Sequence, residues 1–242
     1  MGEVLFVSDL HLSPDRPATA RLFLDFLDGR ARRTEALYIL GDLFDVWVGD
    51  DDRAAFNLEI VNALHDLAEA GTSLYFMHGN RDFLIGRRFA RASGCTLLKD
   101  PSVVDLGGTP TLLMHGDLLC TDDVAYQRFR RKARNPFFQR LFLLKGLERR
   151  RAIAADYRRK SGEATSLKPE AIMDVNQAAV EAALRKHGVT RLIHGHTHRP
   201  ADHRFELDGQ RVERIVLSEW HQDRGEVLCC ADGKLRREPV TA

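Results

Sequence analysis

Aspartate, histidine and asparagine recur along this chain at the ends of short apolar runs, and together they make an oxygen and nitrogen donor set for divalent cations. Val4–Val7 leads into Asp9-Leu10-His11, Leu37–Leu40 into Gly41-Asp42, and Leu74–Met77 into Gly79-Asn80-Arg81-Asp82. Thr111–Met114 leads into His115-Gly116-Asp117, and Arg191–Ile193 into Gly195-His196-Thr197-His198. Two aspartates (Asp9, Asp42), one asparagine (Asn80) and four histidines (His11, His115, His196, His198), with no thiolate, suit Mn2+, Fe or Zn2+ better than Ca2+ or a structural zinc. Two ions roughly 3.5–4 Å apart can activate water and neutralise phosphoryl oxygens during in-line attack, and seven donors are enough to hold them.

Each motif alone is ordinary. A Gly-Asp or Gly-Asn after a strand is usually a turn, and His196 and His198 could be solvated surface residues. Independent turns would not, however, set a metal-competent donor after five successive strands. Asp9 and His11 lie one residue apart, so on an extended strand end they are expected to point the same way. Asp42 offers a carboxylate that can bridge two ions. His78 and His194 abut the motifs and are expected to support them, whereas His65, His187, His203 and His221 read as structural or solvent-facing. The set implies a dinuclear metal hydrolase.

Positioning those tips needs a sheet framework, and the patterning supplies one. Ala18–Leu27, Arg53–Ala70 and Leu84–Ser93 carry apolar residues at helical spacing, with Gly71 and Gly94 as stops. Ser102–Leu106 and Thr111–Met114 flank Gly107-Gly108, a hairpin signal. A helix is expected over Pro169–His187, and β runs over His203–Leu207, Arg211–Leu217 and Glu226–Ala231. Strand and helix alternation followed by a β-rich half predicts an α/β fold of two packed sheets flanked by helices. At 242 residues this is one domain, 1–242. The 44% apolar and 29% charged composition is that of a globular protein. A net charge of +1 argues against a nucleic-acid partner. Four cysteines without a CxxC pair read as reduced thiols of a cytoplasmic protein. The N-terminus shows no basic leader, and no run approaches the roughly 20 apolar residues of a membrane span.

One segment departs from that scheme. From Asp122 to about Thr165 the chain reads as helical, strongly basic and locally very apolar, with Pro136-Phe137-Phe138-Gln139-Arg140-Leu141-Phe142-Leu143-Leu144 inside it. A self-packed amphipathic pair with solvated cations would account for it. The functional alternative is an inserted cap over the metal site, apolar within and cationic outside, suited to an amphiphile or an anionic membrane face.

The motif order resembles that of the calcineurin-like metallophosphoesterases. Further stretches narrow the resemblance: Tyr38-Ile39-Leu40-Gly41-Asp42-Leu43-Phe44, Gly49-Asp50-Asp51-Asp52, His78-Gly79-Asn80-Arg81-Asp82-Phe83-Leu84, Met114 to Asp123, Ile172-Met173-Asp174-Val175-Asn176-Gln177 and Ile193 to Pro200. These look like the UDP-2,3-diacylglucosamine pyrophosphatases of the lipid A pathway, nearly end to end and including the helical insertion. The resemblance implies a four-layer αββα sandwich with a helical cap at 122–167 and two Mn2+ ions. It assigns Asp9, His11, Asp42 and His198 to one ion, and Asp42, Asn80, His115 and His196 to the other. It implies substrate contacts at Asn80, Arg81, Asp123, Ser161, Thr165, Lys168 and His196. It also implies hydrolysis at the α-phosphorus to UMP and 2,3-diacylglucosamine 1-phosphate, by a monomer in peripheral contact with the anionic cytoplasmic face of the bacterial inner membrane. Ser161 or Thr165 as a helix cap and a solvated Lys168 would be the ordinary reading of those three residues.

Many metallophosphoesterases carry histidine where this chain has Arg81, to protonate an alkoxide leaving group. A phosphate monoester is a weak base that leaves without a proton, so a cation there fits P–O–P cleavage. Two other readings are weaker. A nucleotide pyrophosphatase for dinucleotide polyphosphates or nucleotide sugars would not need the apolar run Phe137–Leu144, and an inactive scaffold would have lost metal ligands.

Overall fold

The computed structural model describes the backbone of residues 2–166 and 174–241, with side chains except those of 161–166. Two sheets face each other. The first has strand order β11-β10-β1-β2-β3-β4, from β1 (Val4–Val7), β2 (Ala36–Ile39), β3 (Ser73–Met77), β4 (Thr96–Leu98), β10 (Arg224–Ala231) and β11 (Lys234–Thr241). The second runs β5-β6-β7-β9-β8, from β5 (Ser102–Asp105), β6 (Pro110–Met114), β7 (Arg191–His194), β8 (Ala201–Leu207) and β9 (Gln210–Val216). Within the first sheet β1, β2, β3 and β4 are parallel. In the second, β6, β7 and β9 are parallel.

Strand alternation sorts the apolar side chains into three cores. Leu5, Val7, Leu37, Ile39, Leu74 and Phe76 face α1 (Pro17–Asp28), α2 (Ala55–Glu69) and α3 (Arg87–Ser93), which contribute Phe23, Phe26, Ile60, Leu64 and Phe89. Phe6, Leu40, Met77, Leu113, Ile193, Ile215 and Leu228 fill the space between the sheets. Leu112, Met114, Leu192 and Val212 pack on Val180 and Leu184 of a last helix, Gln177–His187. Helices, sheet, sheet and helix give the expected αββα layering.

That last helix begins later than its spacing predicts. Asn176 accepts a hydrogen bond from the Ala179 backbone N–H (3.1 Å) and caps the helix, so Asp174–Asn176 stay outside it. The expected segment 169–173 lies outside the described residues. Gly188, at φ 62°, closes the other end in the left-handed conformation that favours glycine.

Among the described residues, the segment from Val124 to Ser166 folds as three helices, more than a single helical pair: α4 (Val124–Ala133), α5 (Pro136–Leu143) and α6 (Leu147–Ser166); Gln177–His187 is α7. Asn135 and Pro136 explain the break. The Asn135 side chain accepts from the Phe137 N–H at 2.9 Å, and proline suits a first helical turn. Arginines tie the helices to the sandwich. Arg130 Nε donates to Asp117 Oδ2 (2.7 Å), and Arg134 Nη2 donates to the Gly79 carbonyl (2.8 Å). Arg150, only 2% exposed, donates to the Val48 carbonyl (2.7 Å) and pairs with Asp51. Arg151 pairs with Asp52, and Arg158 with Asp45. The basic face is therefore partly a docking face. Among the described residues, no helix is long and apolar enough to cross a membrane.

Candidate metal centre

Parallel strands deliver their C-terminal ends to one edge, and this edge is where the motifs meet. Asp9, Asp42 and Asn80 follow β1, β2 and β3; His115, His196 and His198 follow β6 and β7. All seven expected donors converge. His11 Nε2 lies 3.2 Å from His198 Nε2, and His198 Nε2 lies 3.4 Å from Asp9 Oδ1. Asn80 Oδ1 is 3.0 Å from His115 Nε2 and 2.9 Å from His196 Nδ1. Asp42 sits between the two groups: Oδ2 is 3.9 Å from His11 Nε2, and Oδ1 is 3.9 Å from His115 Nε2.

The backbone does not reach these positions as extended strand, as the Asp9-x-His11 spacing suggested. Asp9, His11, Asp42, His196 and His198 have φ of 54°, 48°, 53°, 72° and 54°. The only other non-glycine residues in this region among those described are Asp208 and Asp232, both in Asp-Gly hairpin turns. A left-handed non-glycine residue costs of order 1 kcal/mol, and a cluster of five survives because the surroundings impose it. Asp9 N–H donates to the Gly41 carbonyl (3.1 Å) and His11 N–H to the Asp42 carbonyl (2.9 Å), so the first two loops stay stitched past the sheet. Glycine is needed where loops cross. A Cβ on Gly79 would strike Asp42, and one on Gly195 would strike Ser8 and Asp9.

Neighbours outside the expected set hold the donors in place. Asp82 accepts from the Gly79 and Leu43 N–H groups (both 2.8 Å), joining the loops that carry Asn80 and Asp42. Ser8 Oγ donates to Asp9 Oδ2 at 2.7 Å. The Leu40 carbonyl lies 2.8 Å from His115 Nδ1, which leaves Nε2 directed at Asn80. Asp117 accepts from Tyr126 Oη (2.7 Å) as well as from Arg130. Asp82 and Asp117 were visible in their motifs as acids next to ligands. Glu219 was not singled out, though it too follows a parallel strand, β9, and its Oε2 lies 3.0 Å from His198 Nδ1. His194 is buried between the Gly195 carbonyl and Arg214, and His78 contacts the Ile85 carbonyl at 2.7 Å. Neither ring contacts the donor cluster directly in these bonds.

Charge is concentrated here. Burial pushes Asp42 up to about 6, with Asp9 adding to the rise. Burial alone would raise Asp9, but hydrogen bonding to His198 and the charges of His115 and His198 hold it well below the usual carboxylate range. Burial opposes charging of His115 and His198, yet Asp42, Asp117 and Asp9 raise His115 to about 8, and Asp9 and Glu219 raise His198 to about 10. Burial pushes His11 down to about 4 and His196 to about 3.

The donor set fits divalent ions. Asp9 Oδ1 is buried 3.4 Å from His198 Nε2, and the Nε2 atoms of His11 and His198 approach to 3.2 Å, which requires a proton or a cation between them. Asp9, His11 and His198 form one group able to hold an ion, and Asp9, Asp42 and His115 a second. Ligation needs neutral imidazole, whereas at pH 7 the raised His115 and His198 carry protons in the metal-free chain. Metal uptake should therefore release protons, and apparent affinity should rise with pH through about 8, where His115 loses its proton, and on toward about 10, where His198 does. Calorimetry in buffers of differing ionisation enthalpy reads this directly; a binding enthalpy independent of buffer would contradict it.

Against the donor cluster opens a cavity of about 590 Å³ between α4, α5, α6 and the loop after β2. Its walls include Val46, Trp47, Phe83, Phe129, Phe138, Leu141, Phe142 and Ile153, with Asn80 and Arg81 at the metal side. Phe129 and Tyr157, stacked on each other at 4.3 Å, form part of the wall. The apolar run is thus divided: Phe138, Leu141 and Phe142 line the cavity, whereas Phe137 and Leu144 are 65% and 76% exposed. Arg81 makes no ion pair among the described residues, and its Nε is buried without a partner. Asp123 is placed at the start of α4, accepting from the Tyr126 N–H (3.0 Å). The side chains of Ser161 and Thr165, and all of Lys168, lie outside the described residues.

Two packed sheets carrying such a centre at their parallel tips define a metallophosphoesterase, and the family model for calcineurin-like phosphoesterases matches residues 2–200, so the chain belongs to that family. Its relatives are more specific. A protein of Pseudomonas paraeruginosa named UDP-2,3-diacylglucosamine hydrolase is 56% identical over 230 residues, 95% of this chain and 96% of its own. A Pseudomonas aeruginosa protein of the same name is 54% identical over the same shares, and one from Aeromonas salmonicida is 51% identical over 98% of this chain and 93% of its own.

Proposed function

We propose that this chain hydrolyses the pyrophosphate bond of UDP-2,3-diacylglucosamine, by attack of water at the α-phosphorus, to give UMP and 2,3-diacylglucosamine 1-phosphate, a step of lipid A biosynthesis. One observation carries the reading: an apolar cavity opens beside Arg81, which has no ion pair among the described residues, and a divalent-metal donor cluster. An acylated sugar phosphate has an apolar part and an anionic part, one for each of these surfaces. A soluble nucleotide substrate would leave Phe138, Leu141 and Phe142 facing water.

Two Mn2+ ions are the proposed occupants, one held by Asp9, His11, Asp42 and His198, the other by Asp42, Asn80, His115 and His196. When bound, such ions supply Lewis acidity toward phosphoryl oxygens and lower the pKa of water into the neutral range. The protein's residues do the rest. Asp42 holds the two halves of the centre in fixed relation through its two oxygens. Arg81, anchored by its backbone N–H on Asp42 Oδ1 (2.8 Å), offers a guanidinium to the diphosphate and to the charge that develops on the departing phosphate. The helices of 122–167 serve as a cap that encloses the acyl chains and excludes water from the reacting phosphates. Asp123, Ser161, Thr165 and Lys168 are proposed to grip the sugar and its phosphate from the cap side. Phe137 and Leu144, outward and flanked by cations, are proposed to rest on the anionic cytoplasmic face of the inner membrane, with the protein acting there as a monomer and without a nucleic-acid partner.

Turnover of UDP-2,3-diacylglucosamine with added Mn2+, compared with ADP-ribose and diadenosine polyphosphates, tests the substrate class. Preference for either soluble nucleotide would overturn it. A sharper test bears on Arg81. Arg81→His should lower hydrolysis of the lipid substrate by about 10²–10³-fold, because charge stabilisation is lost and no needed proton is supplied. Steady-state kinetics in which the variant matches the parent would contradict the leaving-group argument.

A further inference from the structure

We infer that Glu219 is a positioning residue, which orients the imidazole of His198 and fixes the tautomer in which it can bind metal. The inference rests on the reading of His198 as a ligand.

His198 is the most loosely enclosed of the seven donors. Its side chain is 36% exposed, whereas Asp9 and His115 are completely buried. Its backbone is left-handed at φ 54°, in a loop with no regular structure to orient it. Packing alone therefore does not fix the ring about χ2, and a ring turned by 180° would put carbon, Cδ2 and Cε1, where Nδ1 and Nε2 stand. Nδ1 faces Glu219 Oε2 at 3.0 Å, and Nε2 faces Asp9 Oδ1 and His11 Nε2. A carboxylate accepts but does not donate, so it selects the ring with the proton on Nδ1 and the lone pair of Nε2 directed into the cluster.

Glu219 is itself held on a rigid segment. β7 and β9 are parallel neighbours, with His194 opposite Val216, so His198 and Glu219 leave the sheet at the same edge. Just before Glu219, Leu217 N–H donates to the His194 carbonyl at 2.7 Å. Just after it, Trp220 N–H donates to the Asp9 carbonyl at 3.2 Å, while the indole is fully buried edge-on against Phe23 and Phe26. The carboxylate that aims one ligand is thereby tied to the backbone of another.

The test compares parent, Glu219→Ala, Glu219→Gln and His198→Ala by Mn2+ calorimetry, with the melting temperature of each metal-free protein as a check on folding. Glu219→Ala should weaken one class of Mn2+ site by about 10–100-fold. Glu219→Gln, whose amide oxygen still accepts from Nδ1–H, should stay close to the parent. In the Zn2+-loaded parent, the ¹⁵N spectrum should show His198 protonated on Nδ1 and ligated through Nε2. Parent affinity in Glu219→Ala, equal loss in the Gln and Ala variants, or a parent His198 protonated on Nε2 would each overturn the inference. Parent affinity in His198→Ala would instead remove the ligand reading on which it rests. The ¹⁵N pattern of the parent needs no variant, so a misfolded mutant leaves the question decidable.

Discussion

Asp42→Ala should abolish turnover on every phosphate substrate, whatever the chemistry of its leaving group. Asp42 Oδ2 faces His11 and Oδ1 faces His115, each at 3.9 Å, so its loss removes a carboxylate oriented toward both halves of the centre. Metal-ion stabilisation is worth several kcal/mol, so the expected loss is ~10³-fold or more. Mn2+ binding should weaken with it. Stability should move the other way. Its pKa in the fold, pushed up to about 6, lies above the ordinary carboxylate value of about 4, chiefly through burial. A carboxylate raised in this way destabilises the fold progressively as pH rises from about 4 to about 6, and carries its full penalty at neutral pH. Without metal, Asp42→Ala should therefore melt no lower than the parent at pH 7. Thermal melts and activity assays on the same preparation check both halves. Near-normal turnover would contradict the dinuclear assignment, and a collapsed metal-free melting temperature would contradict the electrostatic account.

The second large effect separates the cap from the metal centre. Phe138→Asp with Leu141→Asp should cripple the lipid substrate and spare a small activated phosphodiester. Both side chains line the cavity, and both are about 44% exposed without substrate, so an acyl chain would remove further apolar surface from water. A fully buried side chain of this size contributes about 1.5–3 kcal/mol, and roughly half of that remains to be gained at each position. Two carboxylates in the same wall add a desolvation cost. The expected loss on UDP-2,3-diacylglucosamine is ~10²-fold or more. Neither residue is among the contacts of the donor cluster, so Mn2+ stoichiometry should hold. Equal loss on both substrates, with a lowered melting temperature, would show instead that the helix only packs against the sandwich.

The site was legible in the sequence because strand tips and ligands are consecutive there. An apolar run followed by Asp, Asn or His reports both the element and the edge at which it ends, and parallel pairing then forces the ends together. What stayed hidden depends on contacts between distant segments. The left-handed backbones of Asp9 and His11 arise from hydrogen bonds to the loop after β2, which no local pattern encodes. Glu219 is an acid in a loop, and only the parallel β7–β9 register sets it beside His198. Strand β11 (Lys234–Thr241) was missed because it is a charged edge strand containing Pro239, tolerable where one side of the ladder is free. β4 has three residues, too few for any periodicity to register. The start of α7 was misread because Asn176 captures its first turn.

Water is proposed to attack the α-phosphorus of UDP-2,3-diacylglucosamine at this centre. Turnover in ¹⁸O-labelled water with Mn2+, followed by mass spectrometry of both products, tests it most directly. The label should appear in UMP alone, with 2,3-diacylglucosamine 1-phosphate unlabelled. Label in the sugar phosphate, or no cleavage of this substrate, would contradict the account.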